Sequence, residues 1–270
     1  MTAHLDWLPI PLRPFAETAI EVVAADPRIV GLMAGGSAID EAMDEFSDLD
    51  LVIIARDEHQ ATILVEAKSF AARLGPLLSA FTGEHVREPR LLLCLYGPPI
   101  QRVDLKFIAE RDLDQRVEDA RILWQRDQAL DEALARTNAI WPTNSPQWME
   151  DRFWTWVHFS AAKIGRGELF AFLDEIAFLR RIIIGPLIRM DGGLSPRGVR
   201  HIEEIAPELL PQLEATIGDH TRLGCLKALR ATVDLYRQLR RDHPEVASCA
   251  GAESAVLSYL DEIESRVRSS

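Results

Sequence analysis

Apolar and polar positions along this chain fall into two regimes, and the change comes about halfway. In the first half the periods mix. Phe15, Ala19, Val22 and Val23 recur at helical spacing over 14–25, a pattern that predicts a helix with one buried face. Residues 28–34 are then an apolar run bounded by Asp26-Pro27 and Gly35-Gly36, which predicts a buried strand ending in a tight turn. Asp48-Leu49-Asp50-Leu51 alternates before passing into Val52-Ile53-Ile54, a second strand. Over 57–81, Ile63, Leu64, Ala67, Phe70, Leu74, Leu77 and Leu78 return every three or four residues, so this stretch reads as helix, kinked or ended by Gly75-Pro76. Residues 91–96 and 102–108 predict a hairpin about Gly97-Pro98-Pro99. Arg121-Ile122-Leu123-Trp124 adds a further strand.

From Trp141 onward only the helical period remains. Ser145 is a good N-cap and Pro146 a good first helical residue. Helices are expected over 146–164, 168–190, 198–217, 221–242 and 252–268, punctuated by Gly165, Gly192-Gly193 and His243-Pro244. The expected architecture is therefore an α/β (α+β) domain with a mixed sheet over 1–140, followed by an all-α helical bundle over 141–270.

Composition narrows the class. A chain of 270 residues with 47% hydrophobic and 27% charged residues is an ordinary globule with an ample core. Its densest apolar run, residues 182–188, is far too short to span a bilayer. The first residues lack the basic and apolar regions of a signal peptide. Cys94, Cys225 and Cys249 are odd in number and widely spaced, so no disulfide framework or zinc site is expected, and a reducing cytoplasm is the natural setting. The net charge of −12 and the lack of any Lys/Arg run argue against a nucleic acid partner.

The chemistry is concentrated in the first half. On a strand, Asp48 and Asp50 project to one face while Leu49 and Leu51 project to the other. Two carboxylates so placed repel unless a cation lies between them, and hard oxygen donors of this kind suit Mg²⁺. Eleven residues earlier, Gly35-Gly36-Ser37 ends the first strand. Glycine lets backbone approach a ligand closely, and Ser37 is placed to cap a short helix over 38–43. Asp104 stands alone inside the strand Gln101-Arg102-Val103-Asp104-Leu105-Lys106. Each feature alone has a bland reading: a turn, an edge strand with outward charges, an exposed Asp paired with Arg102 or Lys106. Asp40, Glu41, Asp44, Glu45, Asp48 and Asp50 place six acids and no base within eleven residues. The first four read as a solvated loop, with attraction of a cationic substrate as the second reading.

Gly36-Ser37, the eleven-residue step, Asp48-Leu49-Asp50-Leu51 and then Asp104 resemble the signature of the DNA polymerase beta-like nucleotidyltransferases, and most nearly the small aminoglycoside nucleotidyltransferases. The resemblance covers roughly residues 28–108 and is only architectural beyond. It implies transfer of a nucleoside monophosphate from an NTP, ATP by preference, to a hydroxyl of a small and possibly cationic acceptor, with release of pyrophosphate. In that scheme Asp48 and Asp50 hold Mg²⁺, Gly36 and Ser37 fix the phosphates, and Asp104 is either a third metal ligand or the general base. One departure is visible: many relatives carry an Arg shortly after the Gly-Ser, where this chain has Ala38-Ile39-Asp40-Glu41. That departure motivates a rival reading, a nucleotide-binding regulatory or antitoxin-like module acting through a protein partner.

In the second half, residues 146–164 carry Trp148, Phe153, Trp154, Trp156 and Phe159. Aromatic density of this kind is more often core than ligand platform. Arg152, Trp156, Phe159 and Lys163 share one stripe. Lys163 loosely resembles a triphosphate-binding Lys of the streptomycin-modifying relatives, which would supply the missing positive charge. Its alternative is a surface Lys complementing a helix C-terminus. Glu168 reads as a first-turn helix acid and His158 as a packed or surface residue, and Asp174 and Glu175 stay ambiguous.

Overall fold

The computed structural model describes residues 5–39 and 43–269. The chain divides into two compact units, Met1–Ile140 and Trp141–Ser270. In the first, β1 (Ile29–Ala34), β2 (Leu49–Ala55), β3 (Leu77–Gly83), β4 (Glu88–Tyr96), β5 (Gln101–Ala109) and β6 (Arg121–Gln125) form one mixed sheet in the order β3-β4-β5-β2-β1-β6. All neighbours are antiparallel except β2 and β5, which run parallel with Asp50 opposite Asp104 and Ile54 opposite Ile108.

The two faces of the sheet bury different cores. Leu49, Leu51, Ile53 and Ala55 of β2 join Phe107 of β5 in a core closed by α1 (Arg13–Ala25), α2 (Gln60–Val65) and α3 (Ala67–Ala72). Phe70 of α3 meets Phe107 edge-on at 5.5 Å. Fully burying one such side chain contributes about 2–3 kcal/mol. On the opposite face Met33, Ile54 and Ile108 pack with Leu113 and with Leu130 and Ala133 of α4 (Ala129–Arg136). Gly31 allows the close approach of α4 here: a Cβ would lie 2.4 Å from Leu130 Cδ1, so the Leu130 side chain would have to move aside. The carboxylates occupy this second face, toward the other end of the same strands.

Two elements depart from the sequence pattern. Residues 57–81 are not one helix. After α3 and Gly75-Pro76 the chain becomes β3, paired antiparallel with β4. Leu74, Leu77 and Leu78 fit a helical period, but a ladder partner contributed from 88–96 outweighs local periodicity. The helix expected over 38–43 is seen only as a 3-10 turn, Gly36–Ala38, with Gly35 rather than Ser37 at its start. Residues 40–42 lie outside the described residues.

Among its described residues the second unit has helices and connecting turns and no strand. α5 (Pro146–Arg166) begins as expected, the Ser145 hydroxyl accepting from the Trp148 N–H at 3.1 Å, and ends on Gly167 at φ 77°. It buries Met149, Phe153, Trp154, Val157, Ala161 and Ile164 in a core shared with α6 (Leu169–Leu179), α10 (Arg222–Arg240) and α11 (Ala250–Arg268). A π turn, Arg180–Ile184, links α6 to α7 (Gly185–Asp191). The helix expected over 198–217 is broken into α8 (Ile202–Ile205), a 3-10 turn Pro207–Leu209 and α9 (Leu210–Ala215). Pro207 lacks the N–H that would continue the ladder and pushes Ala206 out of the helical region, to φ −137°.

Candidate active site and metal centre

The parallel β2–β5 pair builds the site. Asp48, just before β2, and Asp50 share a face because they are two residues apart, and the register carries Asp104 of β5 alongside Asp50. One carboxylate oxygen from each of Asp48, Asp50 and Asp104 lies within 4.8 Å of the others. Asp104 is buried and the other two are half-buried. Three hard oxygen donors converging at this spacing suit a divalent cation such as Mg²⁺.

The turn after β1 closes over the triad. The Gly35 N–H donates to the Asp50 carbonyl at 3.0 Å. Gly36 adopts φ +61°, and a Cβ there would sit 2.1 Å from Asp50 Oδ2, so a side chain would be strained and would displace the Asp50 carboxylate. Ser37 is half-buried beside it, and its hydroxyl has no hydrogen-bond partner among the described residues.

The electrostatics show what the triad lacks. Burial pushes the Asp50 carboxyl up to about 6, with the negative charges of Asp48, Asp104 and Glu118 adding to the effect and Arg102 opposing it. Asp104 pairs with Arg102, whose Nε and Nη2 donate to its two oxygens at 3.1 and 2.7 Å, while Nη1 lies 3.3 Å from Asp48 Oδ2. Lys106, the other cation that the sequence places beside Asp104, pairs instead with Glu88 at 3.0 Å. No hydrogen-bond donor among the described residues reaches the Asp50 carboxylate. Asp50 is thus half-withdrawn from water beside like charges, which fits a site that takes on positive charge.

Glu118 was not legible as part of this site. It lies on the polar segment before β6, where no period or motif marks it, yet its Oε1 stands 3.7 Å from where a Gly35 Cβ would be. Next to the triad along the same sheet face, Val52, Lys106, Met33, Ile108, Gln115 and Glu118 are among the walls of a cavity of about 220 Å³.

The remaining candidates fall elsewhere. Asp40 and Glu41 lie outside the described residues. Asp44 closes its own turn, accepting from the Ser47 hydroxyl and the Phe46 N–H, and those bonds hold its carboxyl below the usual range. Lys163 belongs to the second unit, where its ammonium donates to Glu168 Oε2 at 2.6 Å and stands 5.0 Å from the centre of the Phe159 ring. Glu168 is therefore the partner of Lys163 as well as the residue before α6. His158 is exposed and stacks on Tyr259 with ring centres 4.6 Å apart. Phe153 and Trp154 are core, whereas Trp156 and Phe159 flank an open cavity of about 550 Å³ with Asp174, Glu175 and Phe178. Among the described residues no helix is long and apolar enough to cross a membrane.

No protein-family model and no curated protein matches the chain. Among solved structures it is similar to a nucleotidyltransferase-like protein from Exiguobacterium sibiricum 255-15, with 15% identity and a TM-score of 0.40 over 84% of this chain and 75% of that one.

Proposed function

We propose that the first unit transfers a nucleoside monophosphate from an NTP, with ATP the favoured donor, to a hydroxyl of a small cationic molecule such as an aminoglycoside. The acceptor oxygen bonds to the α-phosphorus, the bridging bond to the β-phosphate breaks, and pyrophosphate leaves with the electron pair. The hydroxyl proton passes to a carboxylate or to solvent. The observation that carries this reading is the convergence of Asp48, Asp50 and Asp104 from two adjacent strands. Those three residues would hold Mg²⁺, which when bound neutralises phosphate charge and polarises the phosphoryl oxygens.

The chain's own residues have separate parts. Gly36 lets the backbone of the turn pack directly against the Asp50 carboxylate at the edge of the triad, and the Ser37 hydroxyl, without a partner among the described residues, is available to donate to a phosphate there. Asp104 would serve as a third metal ligand or as a base aimed at the acceptor, and in the free protein the Arg102 fork covers both of its oxygens. The net charge of −12 favours a cationic acceptor over a polynucleotide.

The test is pyrophosphate release from Mg-ATP across a panel of cationic hydroxyl compounds. Wild type is expected to release pyrophosphate only with an acceptor present. Asp48→Ala and Asp50→Ala should lower the rate by at least about 10²–10³-fold, the range for losing a preorganised electrostatic contact. Equal rates in wild type and either variant would refute the assignment. The pairing of Arg102 with Asp104 and Asp48 favours a second reading, a module that binds nucleotide without turning it over. Such a module would retain ATP and release no pyrophosphate with any acceptor.

A further inference from the structure

Arg102 is the one cation among the described residues that pairs with the triad. Its position is unusual for a purely structural partner. The Asp104 side chain is 8% exposed, whereas that of Arg102 is 53% exposed, so the guanidinium sits on the solvent side of a buried carboxylate. Its fork engages two of the three carboxylates that a divalent cation would need, and its charge acts on the third. A divalent cation on those oxygens would compete with the guanidinium, because Nε and Nη2 already occupy a lone pair on each Asp104 oxygen and two positive centres a few ångströms apart repel.

We propose that Arg102 is an exchangeable counter-ion of this site, which pairs with Asp104 and Asp48 in the free protein and transfers its fork to the phosphate oxygens of the incoming nucleotide as a divalent cation occupies the carboxylates. This rests on the triad being a divalent-metal site and adds to it a residue and an order of events. The chemistry of the exchange is matched. Arginine's planar fork fits a phosphate as well as a carboxylate and makes the same two parallel hydrogen bonds. Arg102 stands one residue from the start of β5, beside the 97–100 turn, and borders a cavity of about 330 Å³ in which it is the only basic wall residue among the described residues. The long side chain therefore has open space to move into. The segment after Gly36-Ser37 offers no Arg, and Arg102 supplies a guanidinium at the triad from a different strand.

The exchange has a thermodynamic signature. In the free protein the fork competes with metal, so metal alone binds weakly. Nucleotide gives the fork another partner and relieves that competition. Metal and nucleotide then each raise the other's affinity, and by reciprocity they do so by the same factor. A metal lying between carboxylates and phosphates couples the two ligands by itself, so the part that belongs to the exchange is the share of the coupling lost when Arg102 is replaced.

The experiment titrates Mn²⁺ alone into full-length wild type, Arg102→Gln and Arg102→Lys, with bound metal read by electron paramagnetic resonance. It then titrates an ATP analogue carrying a methylene bridge between the α- and β-phosphates, with Mg²⁺ present. Arg102→Gln is expected to bind Mn²⁺ about tenfold more tightly than wild type and the analogue about tenfold more weakly. Arg102→Lys, which keeps the charge and loses the fork, should fall between. Melting curves in EDTA and in Mn²⁺ check folding: Arg102→Gln should gain more from Mn²⁺ than wild type does. If Mn²⁺ binds wild type and the substitution leaves its affinity unchanged or weaker, the exchange is wrong while the metal site stands. If Mn²⁺ binds neither protein at millimolar concentration, the metal site itself is wrong and the exchange falls with it.

Discussion

Glu150 in the second unit and Asp50 in the first are both carboxylates drawn out of water, and they are treated in opposite ways. Glu150 lies on α5 with its side chain fully buried. Burial pushes it up, but hydrogen bonds from the Tyr236 hydroxyl, the Cys249 N–H and the Trp154 indole, with the charge of Arg240, outweigh that and hold the carboxyl below its ordinary range. Arg240 is itself shared with Glu253 at 3.0 Å, and Glu253 with Arg237 at 2.9 Å. Every lone pair is spoken for, and the network ties α5, α10 and the start of α11 together. Among the described residues no such donor reaches Asp50, and its carboxyl is raised to about 6. A buried charge that is fully satisfied serves the fold, whereas one left short of partners marks where something else is meant to bind.

The difference can be broken at either end. Removing the carboxylate of Glu150 should be the most damaging change to stability. Glu150→Ala strands Tyr236, Trp154 and the Cys249 N–H in the core, and a loss of about 3–5 kcal/mol is expected. Thermal denaturation of the variant checks it. A loss below about 1 kcal/mol would place Glu150 among ordinary surface carboxylates.

Asp50→Asn should do the reverse. In the metal-free protein the folded carboxyl titrates near 6 against an ordinary value of 3.8. Between those values the folded state holds a proton that the unfolded chain has released. Stability therefore falls as pH rises through that window, and the deficit persists above it. Asn cannot ionise, so in EDTA at pH 7.5 the variant should be more stable than wild type by about 2–3 kcal/mol, the size of a two-unit shift. The advantage should vanish near pH 4, and Mg²⁺ should narrow it by stabilising wild type alone. Melting curves at pH 4 and 7.5 decide the point, since a difference that does not change with pH would mean Asp50 is adequately paired.

The smallest stability effect, and the most specific functional one, is expected at Lys163. Its pair with Glu168 lies at the surface and contributes no more than about 1 kcal/mol, so Lys163→Ala should melt almost as wild type does. Read as the triphosphate-binding Lys that the sequence resemblance implies, its loss would raise the apparent KM for ATP at least about tenfold, corresponding to a charged hydrogen bond of roughly 1.5–3 kcal/mol. An unchanged KM would leave Lys163 with its local role beside Phe159 and Glu168.

Which features could be read in the sequence follows from the same physics. β1, β2 and β5 were legible because buried strands leave apolar runs with defined ends, and Asp48, Asp50 and Asp104 stood out as carboxylates inside them. The core helices of the second unit were legible from Ser145, Pro146 and the 3.6 period. β3 was not, since Leu74, Leu77 and Leu78 fit a helix equally well and only the β4 ladder decides between them. α4 went unread, its eight residues being too short for a clear period. Arg102 was visible as a possible partner of Asp104, but that it also reaches Asp48 depends on the parallel register of β2 and β5, a long-range fact. The Glu118 contribution and the bonds that Glu150 receives from Tyr236, Arg240 and Cys249, 86 to 99 positions away, are of the same kind.

The central claim is that Asp48, Asp50 and Asp104 hold a divalent cation. Its most direct measurement is anomalous diffraction from crystals of the full chain soaked in Mn²⁺. The expected result is a manganese peak within bonding distance, about 2.0–2.6 Å, of oxygens from at least two of the three carboxylates, absent from crystals of Asp50→Ala. Manganese bound only elsewhere, with the triad still closed by Arg102 at saturating metal, would contradict it.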